Sequence, residues 1–395
     1  MCLSINTNTS TVPHYKPAVH NLKTLMNKVT CIANIRFILL SIAVLSGAVT
    51  IYATFAALPI VACGSAVIVG SSLIARYAIR KIRPYLILSI DGGGVRGIIP
   101  AKILSMLEKR IGAKIIEKFD LIAGTSVGAI LTASLVKPDA VDETKPQYSA
   151  KQIRHLFKAQ AEEIFGTPSS WIERIKEPKY DGVGLNKALR KILEETPLNK
   201  AVTDLLITSF DMETYQDYYF KKTSSYSLFD AARASASAPM YFPSYQLEKK
   251  NLVDGGLVAN DPSLLAFFET QKLSNLKDRD IFILSIGTGS FPETPVPAPD
   301  SEKWGILQWL YGGRILNTMF DANAQKTHET LATLAKTRRI YYQRLQVKLE
   351  NANQYEMDNI FPDNLSSLQT LAKKSCLSWI EQGLHEELID PLRNC

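Results

Sequence analysis

Three short segments of this chain hold residue types that can do chemistry together. Asp91-Gly92-Gly93-Gly94-Val95-Arg96-Gly97 follows an apolar run, Gly124-Thr125-Ser126-Val127-Gly128 comes next, and Asp254-Gly255-Gly256 lies farther on. In the first, backbone N–H groups can face an anion with no side chain in the way. The second is a G-x-S-x-G turn, the shape that lifts a serine hydroxyl above a strand–helix junction. A serine hydroxyl is a weak nucleophile until a base takes its proton and donors hold the resulting oxyanion. The first two segments therefore predict acyl transfer, with Ser126 as nucleophile and the glycine turn as oxyanion hole.

Other readings of the same residues must be weighed. Gly92, Gly94 and Gly97 also match G-x-G-x-x-G, the dinucleotide pattern. That pattern wants an acidic residue at the end of the second strand, and Asp120 stands at the start of it. No Gly-Lys-Ser/Thr follows the turn, so it is no phosphate loop. A plain structural turn is the bland reading. The base is the harder question. His14, His20, His155, His328 and His385 are the histidines, and none sits in a recognisable turn after a strand. His155 and His328 read as surface positions on helices. Asp254 follows Leu252-Val253 and precedes two glycines, so it presents a carboxylate at a strand end on a permissive loop. Such a carboxylate acts directly as a base if burial raises its pKa toward neutrality. Asp-Gly-Gly by itself is usually only a turn.

The elements that must position these residues read as follows. Tyr85–Ile90 is a buried strand bounded by Pro84 and Asp91. Pro100 begins a helix whose apolar positions Ile103, Leu104, Leu107 and Ile111 recur at helical spacing. Phe119–Ala123 is the next strand, and an apolar helix follows the Ser126 turn to Val136. This alternation predicts an α/β fold with a mostly parallel central sheet and helices on both faces. Helices are expected at Ile153–Phe165, Leu185–Leu193 and Leu228–Ala238. Strands are expected at Leu205–Phe210, Tyr218–Phe220, Asn251–Val253, Ile281–Ile286 and Ile340–Leu349.

The chain has 395 residues, a formal charge of +7 and 46% hydrophobic residues, enough to bury a full core. The first 90 residues hold eight of the 45 Lys/Arg and none of the 38 Asp/Glu. The positive surplus belongs to that segment, and no nucleic-acid surface is read from it. From Phe37 to Ala75 no residue is charged, a run of 39. About 20 apolar residues span a bilayer. Pro59 divides the run, and basic residues flank it on both sides, which predicts a membrane hairpin with both ends on the cytosolic side. A single tilted span is the alternative. A cleaved signal peptide fits poorly, because the run starts late and is too long. The five cysteines form no C-x-x-C pair, so neither metal nor disulfide is expected, and a reducing compartment fits.

Taken in order, the three segments resemble the patatin family of lipid acyl hydrolases. Ala234-Ser235-Ala236-Ser237-Ala238-Pro239-Met240-Tyr241-Phe242-Pro243 resembles that family's block before its aspartate, and Ser285-Ile286-Gly287-Thr288-Gly289 its later strand end. The resemblance covers roughly residues 85–290. It implies a Ser126–Asp254 dyad without histidine, an oxyanion hole at Gly92, Gly93 and Gly94, and cleavage of carboxylic esters in phospholipids with no cofactor and no metal. It implies a three-layer patatin-like core. Arg96 has a basic counterpart in the family, and either orients the turn or meets a lipid phosphate. The expected organisation is a flexible polar segment over 1–34, a membrane segment over 35–80, a catalytic core over 84–290 and a largely helical extension over 291–395. The expected partners are an acyl lipid and the bilayer, with no nucleic acid; a protein activator is neither implied nor excluded. The catalytic domain is expected to face the cytosol, which suits a bacterial protein delivered into host membranes and a eukaryotic organelle enzyme alike. The alternatives are a catalytically silent membrane adaptor with this fold, a lipase or esterase acting on other lipids, and a triad hydrolase using one of the histidines.

Overall fold

The run Tyr-Leu-Ile-Leu-Ser-Ile forms strand β1 (Tyr85–Ile90), and every residue of it is buried. A strand covered on both faces reads as a continuous apolar run rather than an alternating one. The computed structural model describes residues 84–382 apart from residues 171, 274–275, 277–278, 291–300, 311–313 and 338–339. The polar segment over 1–34 and the membrane hairpin over 35–80 lie outside the described residues. Within them, no helix is long and apolar enough to cross a membrane.

After β1 come α1 (Ile98–Ile111), β2 (Leu121–Gly124) and α2 (Val127–Val136). Helix α1 starts two residues before Pro100, since proline is tolerated in a first turn where its missing N–H costs nothing. Helix α2 buries all of its residues, as a helix apolar on every side must. Helices α3 (Ala150–Ile164) and α4 (Val183–Leu193) follow, then strands β3 (Asp204–Asp211) and β4 (Gln216–Lys221) and helix α5 (Leu228–Ser235). Capping boxes open α3 at Ser149 with Gln152 and α5 at Ser227 with Asp230. The chain continues through β5 (Tyr245–Leu247), β6 (Lys250–Asp254), α6 (Gly256–Ala259), α7 (Ser263–Gln271) and β7 (Ile281–Ile286). It ends with α8 (Ile306–Leu310), α9 (Arg314–Thr337), β8 (Ile340–Leu345), α10 (Ala352–Tyr355) and α11 (Pro362–Trp379).

The sheet runs β5-β6-β3-β2-β1-β7-β8, with β4 paired to β3. From β3 to β8 the neighbours are parallel. The expectation of a mostly parallel sheet needs a correction at one end, where β4 and β6 both run antiparallel to β3 and β5 runs antiparallel to β6. One face of β1, β2 and β7 packs against α7 and α9 through Ile87, Ala123, Ile283, Ala266, Phe267 and Leu331. Helix α2 packs on β1, β2 and β3, and α11 packs on α1.

One detail of the pairing positions the site. Residues 206 and 207 of β3 pair with both β2 and β4, and residues 209–211 pair with both β6 and β4. Strands β2 and β6 therefore share one edge of β3, running toward each other and stopping short. Gly124 ends β2 opposite Ile207, and Asp254 ends β6 opposite Ser209. Two residues of strand amount to about 7 Å. The loop that carries Ser126 leaves β2 at this gap.

Candidate active site

Ser126 stands between β2 and α2 with φ 55° and ψ −122°, a left-handed conformation rare for a residue with a side chain. Such strain costs about 1–3 kcal/mol and persists only where surrounding contacts impose it. Those contacts are visible. The Thr125 N–H donates to Ile90 O at 3.2 Å, and Thr125 Oγ1 donates to Ala259 O at 2.7 Å. The Ser126 N–H donates to Ser235 Oγ at 2.8 Å. Gly128 is required, because a Cβ there would come within 2.1 Å of Ile90 O.

Asp254 is fully buried. Its N–H donates to Ser237 O at 3.0 Å, and the next N–H, of Gly255, donates to Ser235 O at 3.3 Å. The stretch from Ser235 to Ser237 thus bridges the serine turn and the aspartate loop. Asp254 Oδ1 accepts from the Gly256 N–H at 2.7 Å. Burial pushes the Asp254 carboxyl up to about 7, against the opposing pull of hydrogen bonds from the Ser126 side chain and the Gly256 N–H. Its Oδ2 makes no hydrogen bond of full geometry. The Ser126 contact is therefore a loose one, as contacts between reacting groups often are before a substrate binds.

The glycine turn lies beside this pair. A Cβ on Gly92 would lie 3.1 Å from Ser126 Cβ. The Gly92 N–H, however, already donates to Asn260 O at 3.1 Å. The three amides of the expected oxyanion set, Gly92, Gly93 and Gly94, thus differ in what they meet. The Asn260 carbonyl, just past α6, engages the first amide, whereas no acceptor among the described residues meets the Gly93 or Gly94 N–H. Gly94 has φ 57°, and a Cβ there would strike Met357 O at 2.1 Å, so only glycine fits. Arg96 is buried, donates from Nε to Gly93 O at 3.3 Å and from Nη1 to Gly289 O at 3.4 Å, and lies over the Tyr355 ring. These contacts tie the glycine turn to the loop after β7.

A second polar cluster supports the turn from below, and its key member was not legible in the sequence. Ser89, Ser285 and Arg344 form one row across β1, β7 and β8. Arg344 Nη1 donates to Asp91 Oδ1 at 2.9 Å, Asp261 Oδ2 at 2.8 Å and Ser285 Oγ at 2.6 Å, and Nη2 donates to Asp91 Oδ2. Asp261 Oδ1 accepts from Ser89 Oγ at 3.1 Å and from the Ser263 N–H at 3.0 Å. Burial pushes Asp91 up, with Arg344 beside it pulling down. The charges of Asp91 and Asp261 hold Arg344 above its usual range despite burial. One guanidinium thereby fixes the residue before the glycine turn and a residue of the segment after Asp254.

Above Ser126 opens an apolar cavity of about 500 Å³, counting its mouth. Gly94, Ser126 and Val127 form one side of its lining. Phe157 and Ile164 from α3, Leu185 from α4 and Phe320 from α9 supply apolar walls. Tyr241 and Met357 also line it. Polar atoms are few there, as suits an acyl chain or another apolar group. Neither described histidine lines it. His155 is exposed beside Arg154, and His328 Nδ1 lies 3.1 Å from the Tyr342 hydroxyl. His14, His20 and His385 lie outside the described residues.

Comparison with known proteins bears on what this site belongs to. Residues 88–267 match the family model described as Patatin-like phospholipase. Patatin-like protein 2 of Oryza sativa subsp. indica is 32% identical over 337 residues, which cover 73% of this chain and 82% of that protein. A Solanum tuberosum protein named Probable inactive patatin-3-Kuras 1 is 34% identical over 259 residues, covering 57% of this chain and 68% of that one. Among solved structures, VipD from Legionella pneumophila aligns over 76% of this chain and 67% of its own at 13% identity and a TM-score of 0.35, too low to support a conclusion. With the serine turn, the glycine turn and the Asp-Gly-Gly loop gathered at one end of the sheet, the chain belongs to the patatin-like phospholipase family.

Proposed function

We propose that this chain is a membrane-anchored lipid acyl hydrolase of the phospholipase A or lysophospholipase type, working through Ser126 and Asp254. The observation that carries the reading is the meeting of β2 and β6 on one edge of β3, which brings Ser126 beside a buried carboxylate at the floor of an apolar cavity. Asp254 Oδ2 takes the Ser126 proton as Oγ attacks the acyl carbonyl carbon. The tetrahedral oxyanion is held by the Gly93 and Gly94 amides, and the Val127 N–H at the start of α2 adds a third amide without an acceptor among the described residues. The proton passes from Asp254 to the leaving alcohol or lysolipid, and the acyl group stays on Ser126. Water then gives a proton to Asp254 and attacks the acyl-enzyme, releasing the fatty acid and restoring the hydroxyl. A base with a pKa near 7 suits this work, because it is largely ionised just above neutrality and still holds a proton well enough to return it. Arg96 positions the turn in this scheme and takes no phosphate.

The segment over 35–80 anchors the enzyme, and the catalytic unit faces the cytosol. Tethering raises the local concentration of an insoluble substrate. A catalytically silent adaptor is the second reading, since one relative carries the word inactive in its name. One experiment separates them. Full-length protein is incubated with a mixed lipid extract, and released fatty acids and lysolipids are read by mass, with Ser126→Ala as control. Products from the native chain alone support hydrolysis; no products, or equal products from both, overturn it.

A further inference from the structure

Among the described residues, α8 and the first turns of α9 present an apolar surface. Helix α8 buries none of its residues, and Ile306 and Leu307 are 78% and 79% exposed. Trp309 and Leu310 are exposed beside them. The first turns of α9, which packs against α8, present Ile315 and Met319 outward. On the same turns Leu316 and Phe320 point inward, and Phe320 lines the cavity above Ser126. Apolar residues scattered singly on a surface need no explanation, but six within fourteen positions form a patch.

The chemistry of the patch selects its occupant. Trp304 and Trp309 meet edge to face at 5.3 Å, and the Arg314 guanidinium lies 4.7 Å over the Trp304 ring. Tryptophan and arginine are the side chains that settle at the headgroup level of a bilayer, with aliphatic neighbours reaching below it. Between Glu302 and Asp321 the sequence holds Lys303 and Arg314 and no acidic residue, which favours an anionic surface. The patch and the cavity share one helix, since exposed Met319 directly precedes Phe320, which lines the cavity.

We propose that α8 and the first turns of α9 dock on a phospholipid bilayer and set the cavity mouth against it, so that an acyl chain leaves the membrane along Phe320 toward Ser126. This rests on the lipid-hydrolase reading for the purpose of docking, but not for docking itself. It is separate from the anchoring proposed for residues 35–80.

The test uses the full-length chain and vesicles of phosphatidylcholine and phosphatidylglycerol with brominated acyl chains, which quench tryptophans lying among them. Residues 1–83 contain no tryptophan, so the N-terminal segment adds no signal. Native protein should be quenched, and Trp304→Phe/Trp309→Phe, which keeps Trp171 and Trp379, should lose most of that quenching. Equal quenching in both would place another face on the membrane and overturn the proposal. No quenching in either would mean that a second copy or another part of the chain covers the patch, and would overturn it as well. In the second arm, Ile306→Glu/Leu307→Glu should cut hydrolysis of vesicle lipid about tenfold and leave hydrolysis of a soluble short-chain ester unchanged. Equal losses on both substrates, or none on vesicles, would count against docking. If native protein hydrolyses neither substrate, the functional reading fails while the quenching arm still decides this one.

Discussion

Asp91 and Asp254 occupy matching places in the chain. Each stands at the C-terminal end of a strand, each precedes two glycines, each is buried, and burial pushes each up to about 7. Their partners differ. Asp91 gives both oxygens to one guanidinium, which also holds Asp261. Asp254 gives one oxygen to the Gly256 N–H and leaves the other to a loose contact with Ser126. A carboxylate with both oxygens engaged is fixed in place; one with an open oxygen beside a hydroxyl can accept a proton. The same three-residue phrase thus does two jobs, and the difference lies in what the rest of the fold brings to it.

Changing the open carboxylate should have the largest effect. Asp254→Asn should lower kcat on a soluble ester by about 10²–10⁴-fold, the usual worth of a positioned base. The same change should stabilise the fold at high pH. A carboxyl raised from 3.8 to about 7 loses stability as pH rises through that window, so the variant should melt higher at pH 8 and about equally at pH 3. Next in size is Arg344→Met, which leaves two buried carboxylates without their cation. Denaturant unfolding should show a loss of about 3–5 kcal/mol, the cost of breaking a buried pair by removing one partner. A loss below about 1 kcal/mol would show that the cluster holds nothing.

A gentler probe is pH itself. The base must be ionised to work, so kcat/KM should rise about tenfold per pH unit below 7 and level off above it. A plateau reached already at pH 5 would remove Asp254 from that role. Smallest is Arg96→Met, which should lower kcat several-fold through the loosened turn. KM should change equally for a phospholipid and for an uncharged ester. A KM rise confined to the phospholipid would return Arg96 to phosphate binding.

How much of this was legible in the sequence follows from how local each signal is. Strands β1 and β7 were legible to the residue, since continuous β-branched and leucine runs bounded by proline, glycine or aspartate leave little choice. The serine turn and both Asp-Gly-Gly phrases were equally plain. Strand β5 was not, being three residues long and joined to β6 by a tight turn at Glu248, which has φ 55°. The antiparallel end of the sheet therefore has no local signature. Arg344 has no local signature either, because its partner Asp91 is 253 residues away and one arginine in an edge strand gives no local cue. The engagement of the Gly92 amide by Asn260 is likewise a fact of tertiary packing that no spacing reveals. Phe320, on α9, and Met357, in the turn before α11, reach the cavity from beyond the family's motifs.

The most direct test of the account is active-site labelling with a fluorophosphonate, located by peptide mass. The adduct should fall on Ser126, form faster as pH rises through about 7, and form far more slowly in Asp254→Asn. Labelling of another residue, or a rate at Ser126 that neither pH nor Asp254→Asn changes, would contradict the pairing of Ser126 with a buried carboxylate base.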